Sequence, residues 1–233
     1  MTPAAFAERI ADEQAPPFLV AELSGNHGGD LDRALDLVDA AAQSGADAVK
    51  LQTYRPELIT VEASDERFLI KDGLWAGRYL HELYFEAMTP WEWHPALAER
   101  AAERGIALFS SPFDETAVDF LEESVDPPLH KIASLELNHL PLLRKVAQTG
   151  KPVAASVGAS THGEISAAVE LLRTEGCPLV LLLQCVSEYP ASPKDFNLSA
   201  LPAMAEEFAV VTGLSDHSPG HLVAVAATAL GAR

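Results

Sequence analysis

The side chains of this 233-residue chain that could do chemistry recur in one setting: they end apolar runs. Phe18-Leu-Val-Ala-Glu-Leu-Ser-Gly-Asn-His-Gly-Gly-Asp30 passes from a wholly apolar start into Glu22, Asn26 and His27 among glycines. The same pattern gives Lys50 and Gln52, Ser110 and Ser111, then Lys131, Ser134 and Glu136. Further along it gives Ser156, then Gln184 and Ser187, and last Ser215, Asp216 and His217. A carboxylate such as Glu22 inside an apolar stretch is costly to bury without a partner, so it must face something polar. One lysine at a strand end reads as snorkelling. Two in equivalent places, each among hydroxyls, read instead as a phosphate site: charge from Lys50 and Lys131, hydrogen bonds from Ser111, Ser134, Ser156 and Ser187. His217 reads equally as a satisfied structural histidine and as a ligand, with Asp216 available to orient its second ring nitrogen.

Elements that bring such residues together must be strands ending on one side. Apolar runs bounded by glycine and proline, separated by amphipathic stretches, predict strand and helix in alternation, the signature of a parallel α/β fold. The first run, bounded by Pro17 and Gly25, suits a strand covered on both faces. Strands are expected at 48–53, 106–111, 130–134, 152–156, 179–185 and 210–215. Helices are expected from a cap at Asp30, then at 115–123, 140–149, 163–175, 198–207 and 220–230. Thr89-Pro90-Trp91-Glu92 reads as a capping box opening a helix through Arg104. The expected fold is a (β/α)8 TIM-barrel type with seven strand-helix units, the chain stopping at Gly231-Ala-Arg233 where an eighth strand would begin. The missing strand would leave two exposed parallel edges. An open doubly wound sheet has little support, because no G-x-G-x-x-G follows the first strand. Residues 1–16 form an N-terminal cap segment, either a helix capped by Thr2 or an irregular strand pair. Residues 17–233 form the barrel, interrupted at 54–90 by an insertion long enough to be a functional loop.

Composition narrows the partners. With 48% hydrophobic residues the chain can bury a substantial core, and its net charge of −18 repels nucleic acid and anionic membrane surfaces. An anionic substrate therefore needs a locally basic pocket. No apolar run approaches the roughly 18 residues of a membrane span, and no signal peptide is evident, so a cytoplasmic location follows by default. Cys177 and Cys185 read as reduced, buried thiols. His27 reads as exposed on a glycine turn, and His81, His94, His139, His162 and His221 as surface residues. Trp75, Tyr79, Tyr84, Trp91 and Trp93 read as a packed cap.

Taken in order, Ala21-Glu-Leu-Ser-Gly-Asn-His-Gly-Gly-Asp30, Gly45-Ala-Asp-Ala-Val-Lys-Leu-Gln-Thr53, Phe109-Ser-Ser-Pro-Phe-Asp114, Lys131-Ile-Ala-Ser134, Gln184-Cys-Val-Ser-Glu-Tyr-Pro190 and Gly213-Leu-Ser-Asp-His-Ser218 resemble the sialic acid synthase family. Lys50-Leu-Gln-Thr-Tyr-Arg-Pro-Glu-Leu-Ile-Thr60 and Thr89-Pro-Trp-Glu-Trp-His94 look most like its pseudaminic acid branch. The resemblance implies an enzyme that condenses phosphoenolpyruvate with the open-chain aldehyde of an N-acetylated amino sugar. The product would be a nine-carbon 2-keto sugar acid plus phosphate, and the acceptor in that branch a 2,4-diacetamido-2,4,6-trideoxy-hexose. It places Glu22, Glu136 and Lys131 in catalytic positions. Lys50, Gln52, Ser111, Ser134, Ser156, Ser187, Asn26, Tyr189 and Asp216 would hold substrate, with His27 a further sugar contact. A divalent ion, Mn²⁺ or Mg²⁺, would polarise the aldehyde, with His217 and Gln184 as its ligands.

The sequence departs from the family's pattern in places. Gln184 stands for the sialic acid branch's usual His, Ser156-Val-Gly-Ala159 for Ser-Thr-Gly-Met, and Ser111 for Thr. The family's eighth strand with its Glu-Lys-His-Phe motif, and the antifreeze-like domain that covers a partner subunit's site in a homodimer, have no counterpart here. Three readings stand: this condensation, N-acetylneuraminate or legionaminate synthesis by the same chemistry, and a non-catalytic barrel remnant serving as a binding or assembly module.

Overall fold

The computed structural model describes residues 1–233. In chain order the elements are α1 (Pro3–Ala11), β1 (Val20–Glu22), α2 (Leu31–Gln43), β2 (Ala48–Thr53), α3 (Pro56–Ile59), α4 (Leu80–Ala87), α5 (His94–Glu103), β3 (Ala107–Pro112) and α6 (Glu115–Ser124). They continue with β4 (His130–Ile132), α7 (Leu140–Ala147), β5 (Val153–Ser156), α8 (His162–Thr174), β6 (Val180–Cys185), α9 (Ala200–Phe208), β7 (Val211–Ser215) and α10 (Leu222–Ala229). The chain divides into two compact units, one of residues Leu19–Asp126 and one of Met1–Phe18 with Pro127–Arg233.

In the unit Leu19–Asp126, β1 pairs parallel with β2 and β2 with β3. The register sets Glu22 beside Lys50, Lys50 beside Phe109 and Gln52 beside Ser111. Because side chains alternate between faces, Glu22, Lys50, Gln52 and Ser111 share one face. Val49, Leu51 and Leu108 occupy the other and pack with Ala34, Val38 and Leu97 of α2 and α5. Asp30 caps α2 through the Arg33 amide at 3.2 Å, and Asp114 caps α6 through the amides of Thr116 and Ala117 at 2.7 and 3.1 Å. The expected insertion contains α3, α4, a 3-10 turn at Glu66–Phe68 and a single bridge between Leu69 and Tyr79.

In the other unit β4, β5, β6 and β7 run parallel. Ile132, Ala155, Leu182 and Thr212 are aligned on one face and buried. Lys131 aligns with Ala154 and so lies on the same face as Ser156, which aligns with Leu183 and Gly213. Of the two N-terminal readings, the helix is found: Thr2 caps α1, and Phe6 and Ile10 are buried, with the Phe6 ring edge-on to Phe18 at 5.3 Å. After α10 the Arg233 amide donates to the Thr212 carbonyl at 2.9 Å, so the chain returns to β7 at its last residue.

Two local expectations fail. The first strand is three residues long, and Leu19 and Val20 are 55% and 42% exposed, because β1 sits at the end of the strand order rather than between neighbours. Thr89 caps nothing: Trp91–Trp93 is a 3-10 turn, α5 begins at His94 without a side-chain cap, and the Thr89 hydroxyl bonds His27 instead. Both cysteines are free and buried, as expected.

Gly158, just past β5, shows how closely the strand ends approach. A Cβ there would lie 2.6 Å from the Cys185 carbonyl oxygen, a backbone atom that cannot swing aside. Gly158→Ala is expected to cost about 1–3 kcal/mol, read as a lowered urea midpoint with unchanged slope.

Candidate active site

The first cluster belongs to the unit Leu19–Asp126. The Lys50 ammonium forms an ion pair with Glu22, and its Nζ lies 3.5 Å from Ser111 Oγ. The Lys50 side chain is 14% exposed and that of Glu22 39%, so the pair lies at the surface end of the face. Glu22 also accepts from the Ser24 amide at 3.2 Å. Glu22 thus has the polar partner its apolar surroundings demand, and the cluster holds one cation, one anion and a hydroxyl. Gln52 stands on the same face, next to Ser111 in register. Asn26 does less than expected, since its amide nitrogen is held by the Leu23 carbonyl at 3.0 Å and serves the turn.

Beneath this face lies a chain of buried polar groups. His94 is fully buried, and its Nδ1 faces the Pro90 carbonyl at 3.2 Å, so that nitrogen carries the proton. Nε2 must then accept, and it does so from Thr53 Oγ1 at 2.8 Å; Thr53 in turn accepts from Ser110 at 2.7 Å. Burial pushes the His94 pKa down to about 4, with the hydrogen bond to Pro90 only partly offsetting it. His27, expected to be exposed, is 2% exposed. Its Nδ1 accepts from the Gly29 amide at 3.1 Å, which leaves Nε2–H to donate to Thr89 at 3.3 Å. Burial first, then the Arg33 charge, lowers its pKa. The expected exposure fails for both histidines, and for His94 the helical phase carries the signal: His94, Leu97 and Ala101 fall on one buried face of α5.

The second cluster belongs to the other unit. Lys131 and Ser134 are 7% and 8% exposed, and Ser156 is fully buried. Ser134 and Glu136 sit on a 3-10 turn directly after β4. Ser134 Oγ accepts from the Gly158 amide at 3.1 Å, which ties this turn to the end of β5. Ser156 Oγ and Glu136 Oε2 are buried and have no hydrogen-bond partner. Burial pushes the Glu136 carboxyl above the usual range, and the nearby Lys131 charge offsets this only in part. A buried cation in the same unit as a buried carboxyl oxygen and a buried hydroxyl that both lack partners marks a candidate ligand-binding group.

The third group surrounds His217. Its Nδ1 donates to the Val186 carbonyl at 2.7 Å, so Nε2 carries the lone pair, and the Tyr189 hydroxyl lies 3.1 Å from it with the two rings 4.2 Å apart. Asp216 does not orient this ring as expected: its Oδ1 accepts from the Ser218 amide and hydroxyl at 2.8 and 2.7 Å. Ser187 is exposed in the loop after β6. The expected metal pair does not assemble. Gln184 alternates with Leu183, so it lies on the face opposite Ser156, and its amide donates to the Phe196 carbonyl at 2.7 Å. It lines a cavity of about 440 Å³ with Ile165, Ala200, Met204 and Phe208 of α8 and α9. No group of three or more His, Cys, Asp or Glu could hold an ion. His217 is suited to be a ligand, since a backbone carbonyl fixes its tautomer, but Gln184 is not.

The fold is α/β of the TIM-barrel type, with seven strand-helix units and polar residues gathered where strands end. Residues 37–233 match the NeuB family, and the chain belongs to it. It is 45% identical to the pseudaminic acid synthase of Campylobacter jejuni over 93% of this chain and 63% of that protein, and 45% identical to that of Helicobacter pylori over 93% and 64%. The chain thus spans under two thirds of the length of these relatives. A crystal structure of N-acetylneuraminic acid (sialic acid) synthetase from Leptospira borgpetersenii in complex with citrate superposes with a TM-score of 0.83 at 33% identity, covering 93% of this chain and 70% of that one. No helix is long and apolar enough to cross a membrane.

Two outcomes follow for stability. Ser156→Ala removes a buried hydroxyl without a partner, so the melting temperature is expected to stay level or rise by a degree or two, roughly 0–1 kcal/mol; a clear loss would show the hydroxyl is satisfied. For His94, ordinary value 6.5 and folded value about 4, the unfolded chain binds a proton between these limits that the folded chain refuses. Its contribution is therefore whole above pH 6.5 and is lost as pH falls towards 4, by roughly 3 kcal/mol in all. Urea midpoints at pH 7 and 4.5 are expected to fall further apart in the wild type than in His94→Gln.

Proposed function

We propose that this chain catalyses the condensation of phosphoenolpyruvate with the aldehyde of an N-acetylated amino sugar, giving a nine-carbon 2-keto sugar acid and phosphate. The observation that supports it best is the buried Lys131, whose charge acts on Glu136, together with the unpartnered Glu136 Oε2 and Ser156 Oγ in the same unit. Such a group of side chains suits an anion that also brings hydrogen-bond donors or a water molecule. The identities to two pseudaminic acid synthases favour 2,4-diacetamido-2,4,6-trideoxy-hexose as acceptor.

In this reading Lys131, Ser134, Ser156 and Ser187 hold the anionic groups of phosphoenolpyruvate, and Lys50, Gln52 and Ser111 are a second cluster suited to an anionic group. The methylene carbon of phosphoenolpyruvate bonds to the aldehyde carbon, whose oxygen takes up a proton. Water adds to the cationic carbon left behind and gives its proton to a carboxylate. Glu136 suits that step, because burial raises its proton affinity while the Lys131 charge partly offsets this and favours the ionised form. The carbon–oxygen bond to phosphate then breaks, and the keto group forms. Glu22, paired with Lys50, is placed to accept hydrogen bonds from sugar hydroxyls, with Asn26 and Tyr189 as further contacts and Asp216 holding the loop that carries His217. A divalent ion would act as a Lewis acid on the aldehyde, and His217 would be this chain's ligand to it.

Mixing the chain with phosphoenolpyruvate, Mn²⁺ or Mg²⁺ and candidate sugars is expected to release phosphate. A folded sample silent with every N-acetylated hexose would count against the reading. Lys131→Met is expected to weaken phosphoenolpyruvate binding at least about a hundredfold by calorimetry, as loss of a buried charge-assisted contact does, while the melting temperature moves little. Unchanged affinity would remove Lys131 from the site.

A further inference from the structure

The segment Thr89-Pro-Trp-Glu-Trp-His94 touches the loop after β1 and the end of β2, and reaches β3 through Thr53. Thr89 bonds His27 of the loop after β1, and the Trp93 ring meets that same His27 edge-on at 5.4 Å. Trp91 donates its indole N–H to the Tyr54 carbonyl just past β2 at 3.1 Å, stacks on Phe120 of α6 at 4.6 Å and carries the Arg55 guanidinium 4.2 Å above its face. His94 reaches Thr53 at the end of β2, and through it Ser110 of β3.

We propose that this segment is a clamp, with His94 its positioning residue, which sets Lys50 and Ser111 at the separation that receives an anionic group of the substrate. The register carries the argument. Thr53 and Ser110 lie on the helix-facing side of β2 and β3, and each is the chain neighbour of a residue on the other side, Gln52 and Ser111. The hydrogen bonds from Ser110 to Thr53 to His94 to Pro90 therefore cross-link the two strands behind the point where Lys50 Nζ meets Ser111 Oγ. The chain has one direction. Pro90 offers only an acceptor, so His94 must present its lone pair to Thr53, and a charged imidazole would leave Thr53 facing a donor. A buried neutral histidine is thus part of the geometry and is not interchangeable with an apolar ring.

The proposal rests on the anion-binding reading above, and three variants separate the two. His94→Gln keeps an acceptor for Thr53, His94→Phe keeps only volume, and Thr53→Val removes the hydroxyl with little change of shape. Phosphoenolpyruvate titration by calorimetry and amide hydrogen exchange at Gln52 and Ser111 are the readouts. His94→Phe and Thr53→Val are expected to weaken binding by about tenfold or more and to speed exchange at both amides, as small misplacements of binding groups do. His94→Gln is expected to stay within about threefold of wild type, and the Thr53→Val/His94→Phe pair to be no weaker than either alone, because both break one chain. If Phe and Gln behave alike, or a folded His94→Phe binds as wild type, the segment is packing only and the proposal falls. If His94→Phe does not fold, Thr53→Val decides by the same criteria. If wild type binds no phosphoenolpyruvate, the functional reading fails, and exchange at Gln52 and Ser111 alone decides: no change in Thr53→Val overturns the clamp.

Discussion

A lysine on a buried strand must have its charge answered, and the way Lys50 and Lys131 are answered organises much of this molecule. Desolvation of an ammonium costs several kcal/mol unless anions or lone pairs surround it. Lys50 meets that demand with Glu22 and Ser111, which the parallel register brings onto its own face. Lys131 lies near Glu136, on a turn that Ser134 ties to Gly158. In the unit Leu19–Asp126 the opposite face is mainly apolar and packs on α2 and α5, so the charged side chains gather on one side, while the few polar groups behind it, Thr53, Ser110 and His94, satisfy one another. The same constraint that makes the sheet stable therefore concentrates the chemistry.

The two clusters differ in how complete they are. Around Lys50 the charges are paired and partly exposed, so the group is stable as it stands and offers a screened, exchangeable contact. Around Lys131, Ser156 Oγ and Glu136 Oε2 are buried without partners. Unmet hydrogen-bonding capacity of this kind costs stability in the free protein and is recovered when a ligand with matching groups binds. This difference places the ligand-dependent part of the account on Glu136 and Ser156 rather than on Glu22.

Much of the fold was legible in sequence because its periodicities are clean. Helix phases such as Leu142, Leu143 and Val146 in α7, and apolar runs such as Val180–Cys185, follow directly from which faces must be buried. The strand-end lysines and serines were legible for the same reason. What stayed hidden depended on direction within an element. Alternation puts Gln184 on one face with Leu182, but the run Leu179–Cys185 is apolar on both faces, so nothing in it says that Ser156 aligns with Leu183 and not with Gln184. Thr89 has the form of a capping residue, yet its hydroxyl is worth more to a buried imidazole than to a helix end that starts with a 3-10 turn. The phase of α5 marks His94 for burial, but only the tertiary contacts reveal the burial of His27 and the two rings held by a carbonyl and an amide.

In the proposed condensation, water attacks the carbon of phosphoenolpyruvate and phosphate leaves with the bridging oxygen. Phosphoenolpyruvate labelled with ¹⁸O at that oxygen tests this directly in a reaction with 2,4-diacetamido-2,4,6-trideoxy-hexose. The account predicts that all of the label appears in the released phosphate and that the new keto oxygen comes from water. Label retained in the sugar acid, which would mean cleavage between phosphorus and oxygen, would contradict it.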